Sequence, residues 1–431
     1  MTPGPRHHSE TRPDARPATH RAALADAPWL TGRPIRRLFA ALEVEGDAAW
    51  VVGGAVRNTL MGLPVADVDV ATTAPPDLTS RRAAAAGLKV IPTGIAHGTV
   101  TVVVEGHPFE VTTLRTDVET DGRRAVVAFG RDWAADAHRR DFTMNALYCS
   151  ADGTVHDFVG GIEDCLARRV RFIGDPDARI REDYLRSLRF FRFHAAYGHG
   201  APDRAGLDAI LRNRDGLDGL SAERVGQEMA KLVVAAGAPG CIRIMSDWGI
   251  LGRVLGRAAD LGGFARLHAV ARDTVVTPGG KADAPLFLAA LAAWTEADAS
   301  ALATRLRLSN AERFRMLTAV TGAFRVGGEF DERAARVLLY DLGPQGFRDA
   351  LALAAARARI AADERFVHLL SLPFRWTPPA TPVAGRDLAA LGIEKGPRIG
   401  ELVRAAEKLW IDSDFELDRA AILSRLGLTP P

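Results

Sequence analysis

The pattern of the chain changes once, near Gly160, and that change limits what it can fold into. Upstream, short apolar runs of strand length alternate with helical runs, bounded by glycine and proline. Downstream, strand patterns fade. Ala, Leu and Arg recur there in helix-length runs such as "EDYLRSLRFFRFHAAYG" and "SAERVGQEMAKLVVAAG". The second run starts at Ser221 and places Arg224, Gln227 and Glu228 before an apolar face, a good helix start. The chain has 431 residues, 47% of them apolar, enough for two to four domains with sizeable cores. The expected architecture is α+β over the first 150 or so residues and all-α beyond, with no internal repeat.

Within the first part, "AWVVGG" reads as a buried strand ending in a glycine turn, and "AVRNTLMG" has helical spacing closed by Gly62. "VDVAT" reads as a strand, and "PPDLTSRRAAAAG" as a helix with prolines at its start and Gly87 at its end. "GTVTVVVEG" and "HPFEVTTLR" predict a hairpin turning at Gly106–His107. Thr116 to Asp132 is polar and reads as a long loop, functional or mobile. A Pro-rich hinge, Ser371 to Gly385, precedes a final helical tail.

One strand carries an unusual pair. In "VADVDVATT", Asp67 and Asp69 share one face while Val68 and Val70 take the other. The valines can anchor to a core, and the carboxylates then converge at a strand end. Two such anions repel unless a cation lies between them. Mg²⁺ accepts carboxylate oxygens together with waters and phosphates, and a two-metal site can activate a hydroxyl and brace a leaving pyrophosphate. Taken alone, the pair also suits a surface strand with solvated acids.

The neighbourhood sharpens that choice. In "GGAVRN", Gly53 and Gly54 let backbone approach a ligand, helix amides are available for phosphate, and Arg57 can donate to phosphate oxygens. The segment is neither a Walker A loop nor a dinucleotide fingerprint. Glu110, in "FEVTT", is a third strand acid that solvation alone would also explain. "HRRDFTMNAL" offers Arg139, Arg140, Asp141 and Asn145, either as contacts to ribose and phosphate or as a helix cap by Asp141. In "REDYLRSLRFFRF", Asp183 and Arg186 are helical neighbours at i, i+3, with Arg189 and Arg192 following. Such a pair is either an ordinary surface salt bridge or a base reader. A carboxylate accepting from an amino group and a guanidinium donating to a ring nitrogen would take cytosine and adenine and reject uracil and guanine.

The bulk numbers remove several classes. A net charge of +2 means that any nucleic-acid affinity comes from local basic stripes. Cys149, Cys165 and Cys241 show no C-x-x-C spacing, which argues against a zinc site or disulfide framework and suits a reducing cytoplasm. No apolar run approaches the roughly 18 residues of a membrane span. The first 20 residues are polar and Pro-rich, a disordered tail in character.

Together, in order, "GGAVRN", "DVDVATT", "GTVTVVVEGHPFEVTTLR", "HRRDFTMNAL" and "VHDFVGGIEDCLARRVRFIGDPDARIREDYLRSLRFFRF" resemble the bacterial (class II) tRNA nucleotidyltransferase and poly(A) polymerase family of the DNA polymerase beta superfamily. The strong likeness covers about residues 49–197, and residues 220–232 and the tail from Thr381 extend it. It implies a disordered tail over 1–25, a catalytic head with a small mixed sheet over 26–158, and a helical neck over 159–235. A helical body over 236–375 and a tRNA-binding helical tail over 376–431 would follow. It implies that Asp67 and Asp69 hold the metals, Mg²⁺ with Mn²⁺ possible, and that Glu110 is a third catalytic carboxylate. Gly53, Gly54 and Arg57 would hold the triphosphate, Arg140 and Asp141 the ribose end, and Asp183 and Arg186 the base, with Arg189 and Arg192 helping to hold nucleotide.

The implied reaction is template-independent addition of CCA to the 3′ end of tRNA from CTP and ATP, in the cytoplasm, with pyrophosphate released. The alternatives are a poly(A) polymerase, a partial CC- or A-adding enzyme, and a non-catalytic RNA-binding protein on the same scaffold. The segment "IPTGIAHGTVTVV" lacks the basic motif of the poly(A) polymerases, which favours tRNA, and the loop 116–132 favours full CCA addition. No His-Asp pair follows His156–Asp157, so no phosphohydrolase activity is expected. The intact acid pair counts against the non-catalytic reading. The family usually has Asp where Asn58 stands, which is expected to tune activity. Oligomeric state is left open.

Overall fold

The computed structural model describes residues 24–428 apart from 96–97, 122–123, 274–282, 329 and 395. The N-terminal tail up to residue 23 therefore lies outside the described residues. The chain divides into two compact units, Met1–Leu220 and Ser221–Pro431.

The first unit is built on a seven-stranded mixed sheet. Its strands are β1 (Ala49–Val52), β2 (Asp69–Thr72), β3 (Lys89–Gly94), β4 (Thr99–Val104) and β5 (His107–Thr113), then β8 (Leu147–Cys149) and β9 (Val155–Asp157) after a separate ribbon of β6 (Arg115–Asp121) and β7 (Arg124–Phe129). The spatial order is β3-β4-β5-β2-β1-β8-β9. Among the described residues of this sheet only the β2–β5 pair is parallel, and it sets Asp69 directly opposite Glu110. The helices Arg33–Leu42 and Pro76–Ala85 pack on β4 and on each other. Ile35, Leu38, Leu42 and Ala83 are buried there. A second cluster joins Val52, Ala71, Leu114, Tyr148 and Ile173 with Trp50 and Trp133, whose rings stack at 3.7 Å.

Three local expectations change. The stretch read as a loop, Thr116 to Asp132, is largely the β6–β7 ribbon, paired from Arg115↔Phe129 to Asp121↔Arg124. Its polar first arm hid the alternation of "AVVAF" and the Asp-Gly hairpin signal at 121–122. The β4–β5 turn sits at Glu105 and Gly106, both at positive φ, one residue earlier than expected. The helical run read from Glu182 onward is broken: Glu182 ends the helix Pro176–Glu182 and a second helix, Leu185–Tyr197, follows, because Asp183 is extended (φ −157°, ψ 104°) and its carboxylate accepts from the Leu185 N–H at 3.1 Å.

The second unit is helical. Its first helix, Ala222–Leu232, follows Ser221 as expected, but the Ser221 hydroxyl is buried without a hydrogen bond and does not cap it. Arg315 bridges the buried Asp349 and Asp283 at 2.6 and 2.9 Å. The segment Glu332–Ala356 breaks at Gly343 (φ 67°), ahead of Pro344. The tail closes its own small core of Val383, Leu388, Trp410, Ile422 and Leu423, onto which Tyr340 packs. Among the described residues no single helix is long and apolar enough to cross a membrane. The one bent pair with enough apolar length, Ala284–Ala292 with Glu296–Arg305, keeps its whole first helix buried.

Candidate active site

The site grows from the start of β2 and the middle of β5. Residues Asp69 and Glu110 are cross-strand partners in a parallel pair, so their side chains leave the same face. Asp67 lies on the irregular segment just before β2, so strand alternation does not govern it. Both aspartates and Glu110 are exposed. Although Asp69 is exposed as a residue, the chain packed around its carboxyl partly desolvates it, and with the charges of Glu110 and Asp67 beside it this raises its pKa, while Arg140 opposes that rise. Three carboxylates thus crowd one strand edge. Among the described residues, no group of three or more His, Cys, Asp or Glu is arranged to hold a metal ion by itself. An oxygen-only edge of this kind fits a hard divalent cation whose shell is completed by water and phosphate.

Beside the acids, β1 ends in Gly53 (φ 72°, ψ −112°), a conformation only glycine adopts readily, and the helix Gly54–Leu60 begins. A Cβ on Gly53 would lie 3.4 Å from the Asn145 carbonyl and 4.0 Å from an Arg140 nitrogen. Arg57, expected to face phosphate, is instead only 6% exposed. Its guanidinium donates to Asn58 Oδ1 at 3.1 and 2.8 Å and to Asn145 Oδ1 at 2.6 Å, and it lies 3.9 Å from the Tyr197 ring centre. Asn58, which stands where the family usually has Asp, keeps an acceptor for Arg57 and donates through Nδ2 to the Pro64 carbonyl at 2.7 Å.

The segment after β7 supplies the cations. Asp136, 1% exposed, sits in the helix Trp133–His138. It accepts from Arg139 at 2.7 Å, from Arg140 at 3.0 Å and from the Tyr148 hydroxyl at 2.7 Å. Burial pushes its carboxyl up, but Arg140, Arg139 and Tyr148 outweigh burial and hold it below the usual range. Asp136 therefore aims Arg140, a role the sequence reading missed; its signal was an acid one helical turn before a basic pair. Asp141 does not cap a helix carrying Leu147, which lies in β8. Instead it accepts from Asn145 at 3.0 Å and from Arg189 at 2.8 and 2.5 Å.

The helix Leu185–Tyr197 brings the last group. Arg189 reaches Asp141, and Arg192 lies 4.3 Å from the Phe193 ring centre. Arg186 forms its ion pair with Glu182 at 2.5 Å rather than with Asp183, and Arg179 meets the same Glu182 while donating to the Arg140 carbonyl at 2.7 Å. The backbone of Arg186 still donates to the Asp183 carbonyl, at 3.0 Å.

A mixed sheet with acids paired across adjacent strands, a glycine turn and an arginine-rich flank defines a nucleotidyltransferase head, and residues 49–171 match the poly A polymerase head domain. The mitochondrial CCA tRNA nucleotidyltransferase 1 of Danio rerio is 35% identical over 382 residues, 88% of this chain and 86% of the relative. The Homo sapiens counterpart is 34% identical over 387 residues, with the same coverage of 88% and 86%. This chain belongs to the CCA tRNA nucleotidyltransferase family, the one its motifs resemble. The crystal structure of the Bacillus stearothermophilus CCA-adding enzyme in complex with CTP superposes with a TM-score of 0.74 at 27% identity, over 92% of this chain and 97% of that one. The Thermotoga maritima CCA-adding enzyme complexed with tRNA shares the fold at 18% identity, with a TM-score of 0.61 over 91% and 94% of the two chains.

Proposed function

We propose that this chain adds C, C and A to the 3′ end of tRNA from CTP and ATP, without a template, releasing pyrophosphate at each step. The observation that carries the reading is the Asp69–Glu110 register pair, with Asp67 beside it and Gly53 and Arg140 flanking. Asp67 and Asp69 would hold the divalent metal, Mg²⁺ or Mn²⁺, with Glu110 as third carboxylate. When bound, the metal would lower the pKa of the tRNA 3′-hydroxyl and neutralise the leaving pyrophosphate.

The chain's own residues do the rest. Gly53 and Gly54 leave room for phosphate against backbone, and Arg57 contributes positive field from beneath the turn. Arg140 balances charge between the acids and the nucleotide, and Asp141 orients the ribose end through the Arg189 contact. Asp183 and Arg186 accept an amino group and donate to a ring nitrogen, so cytosine and adenine fit and uracil and guanine do not. Arg186 must exchange its Glu182 partner to do so. Arg192 adds charge along the same helix. The division of labour is a catalytic head and base-reading neck before about residue 235, a helical body to 375 and a tail that grips tRNA. Three buried free thiols suit a reducing compartment, and we place the reaction in the cytoplasm.

Incorporation of single labelled nucleotides into tRNA ending before CCA, before CA and before A, with Mg²⁺, tests this. Two cytidines, one adenosine and a stop are expected. Long adenosine tails on generic RNA would make it a poly(A) polymerase. Arrest after CC would make it a partial adder.

A further inference from the structure

A continuous chain of hydrogen bonds crosses the first unit, from the segment carrying Asp67 to the helix Leu185–Tyr197. The Pro64 carbonyl accepts from Asn58 Nδ2 at 2.7 Å. Asn58 Oδ1 accepts from Arg57, and Arg57 Nη1 donates to Asn145 Oδ1 at 2.6 Å. Asn145 Nδ2 donates to Asp141 Oδ1 at 3.0 Å, and Asp141 Oδ2 accepts twice from Arg189. Both amide orientations are forced. A guanidinium only donates, so each Asn must turn its oxygen to Arg57 and its NH₂ away, toward Pro64 or Asp141. Tyr197, on the same helix as Arg189, also lies against Arg57.

We propose that Asn58, Arg57, Asn145 and Asp141 act as one relay that sets the Leu63–Asp69 segment from the nucleotide-reading helix. Asn58 and Asn145 are its positioning residues. The proposal rests on the reading of Asp67 and Asp69 as metal ligands. The relay explains why an amide serves at position 58. A carboxylate there could accept from Arg57 but has no proton for the Pro64 carbonyl, and the two oxygens would repel. With an amide, a shift of Arg189 on nucleotide binding reaches Asp67 through partners that cannot reverse their donor and acceptor roles. The Arg57–Asn145 bond at the centre of the chain is buried and charge-assisted, and bonds of that kind are strongly coupled.

Hydrogen–deuterium exchange across Leu63–Asp69 in the full chain, without nucleotide or metal, reads the relay directly. Asn145→Ala, at the far side of Arg57, is expected to speed exchange of these amides by about tenfold, as is Asn58→Asp, which keeps the Arg57 acceptor and removes only the Pro64 donor. Each is expected to lower kcat for CTP by about tenfold with KM for CTP within about twofold, and the double variant should lose no more than either single one. Parental exchange across this segment in Asn145→Ala, or losses that multiply in the double variant, would overturn the relay. If Asn145→Ala folds poorly, Asn58→Asp carries the test, and parental exchange and kcat in that variant would overturn it. A parental chain that fails to extend tRNA would remove the functional reading instead, and the exchange result would stand apart from it.

Discussion

Asp69 carries a charge that its surroundings make costly. Partial desolvation of its carboxyl, Glu110 and Asp67 all raise its pKa, and Arg140 works the other way. A bound cation would reverse that balance, which makes the acid pair the point of greatest sensitivity. Asp67→Ala and Asp69→Asn should each lower nucleotide incorporation by about 10²–10³-fold or more while tRNA binding in a gel-shift assay survives. Retained turnover would remove the metal role. Gly53 is sensitive for a different reason. Its φ of 72° and ψ of −112° strain any side chain, and a Cβ would meet the Asn145 carbonyl at 3.4 Å. Gly53→Ala should destabilise the fold by about 1–3 kcal/mol in a denaturant titration and raise KM for CTP more than it lowers kcat.

At the scale of elements, the segment from Trp133 to Asn145 is a clamp whose acids are held charged inside the protein. Burial raises the Asp141 carboxyl, but Arg189, Asn145 and the Phe142 N–H lower it further, so its folded pKa lies below the unfolded value. The same sign holds for Asp136. Their stabilisation is therefore complete above the unfolded carboxylate pKa of about 3.9 and is lost as pH falls through the folded values. Urea midpoints should hold from pH 7 to about 5 and fall below about 4, and Asp136→Asn should flatten that fall. Because Asp136 accepts from Arg139, Arg140 and the Tyr148 hydroxyl together, Asp136→Asn should also cost about 3–5 kcal/mol at neutral pH. On the neighbouring element, Arg186→Ala should relax nucleotide choice. Unchanged selectivity against UTP and GTP would sink base reading by this residue. That Arg186 rests on Glu182 was not legible in the sequence, because the break at Asp183 depends on its carboxylate capping the next helix.

Over the whole molecule, the tail is held to its unit by a small core and by polar ties. Trp410 is buried against Tyr340 and Phe415, Tyr340 donates to Glu407 at 2.5 Å, and Arg336 pairs with Asp414 at 2.5 Å. Truncation after Pro382 should raise KM for tRNA more than KM for CTP. It should also expose Tyr340 and lower the melting temperature, so Trp410→Ala, expected to cost about 3–5 kcal/mol, separates packing from RNA contact. If tRNA KM is unaltered by truncation, the tail does not grip RNA.

The order of most elements, the acid pair, the glycine turn and the family were legible in the residues alone, because periodicity, turn chemistry and motif spacing are local and survive as patterns in one dimension. The residues also carried a signal for the β6–β7 ribbon, which its polar arm masked. Which charges meet came from the folded arrangement: Asp69 faces Glu110 across a parallel pair, Arg57 is buried between two amides, and Asp136 rather than Asp141 holds Arg140. Those pairings join residues up to 88 positions apart, as Arg57 and Asn145 are. A charged side chain's partner is set by which strands and helices close around it, and in a low-dielectric interior that choice fixes its energy.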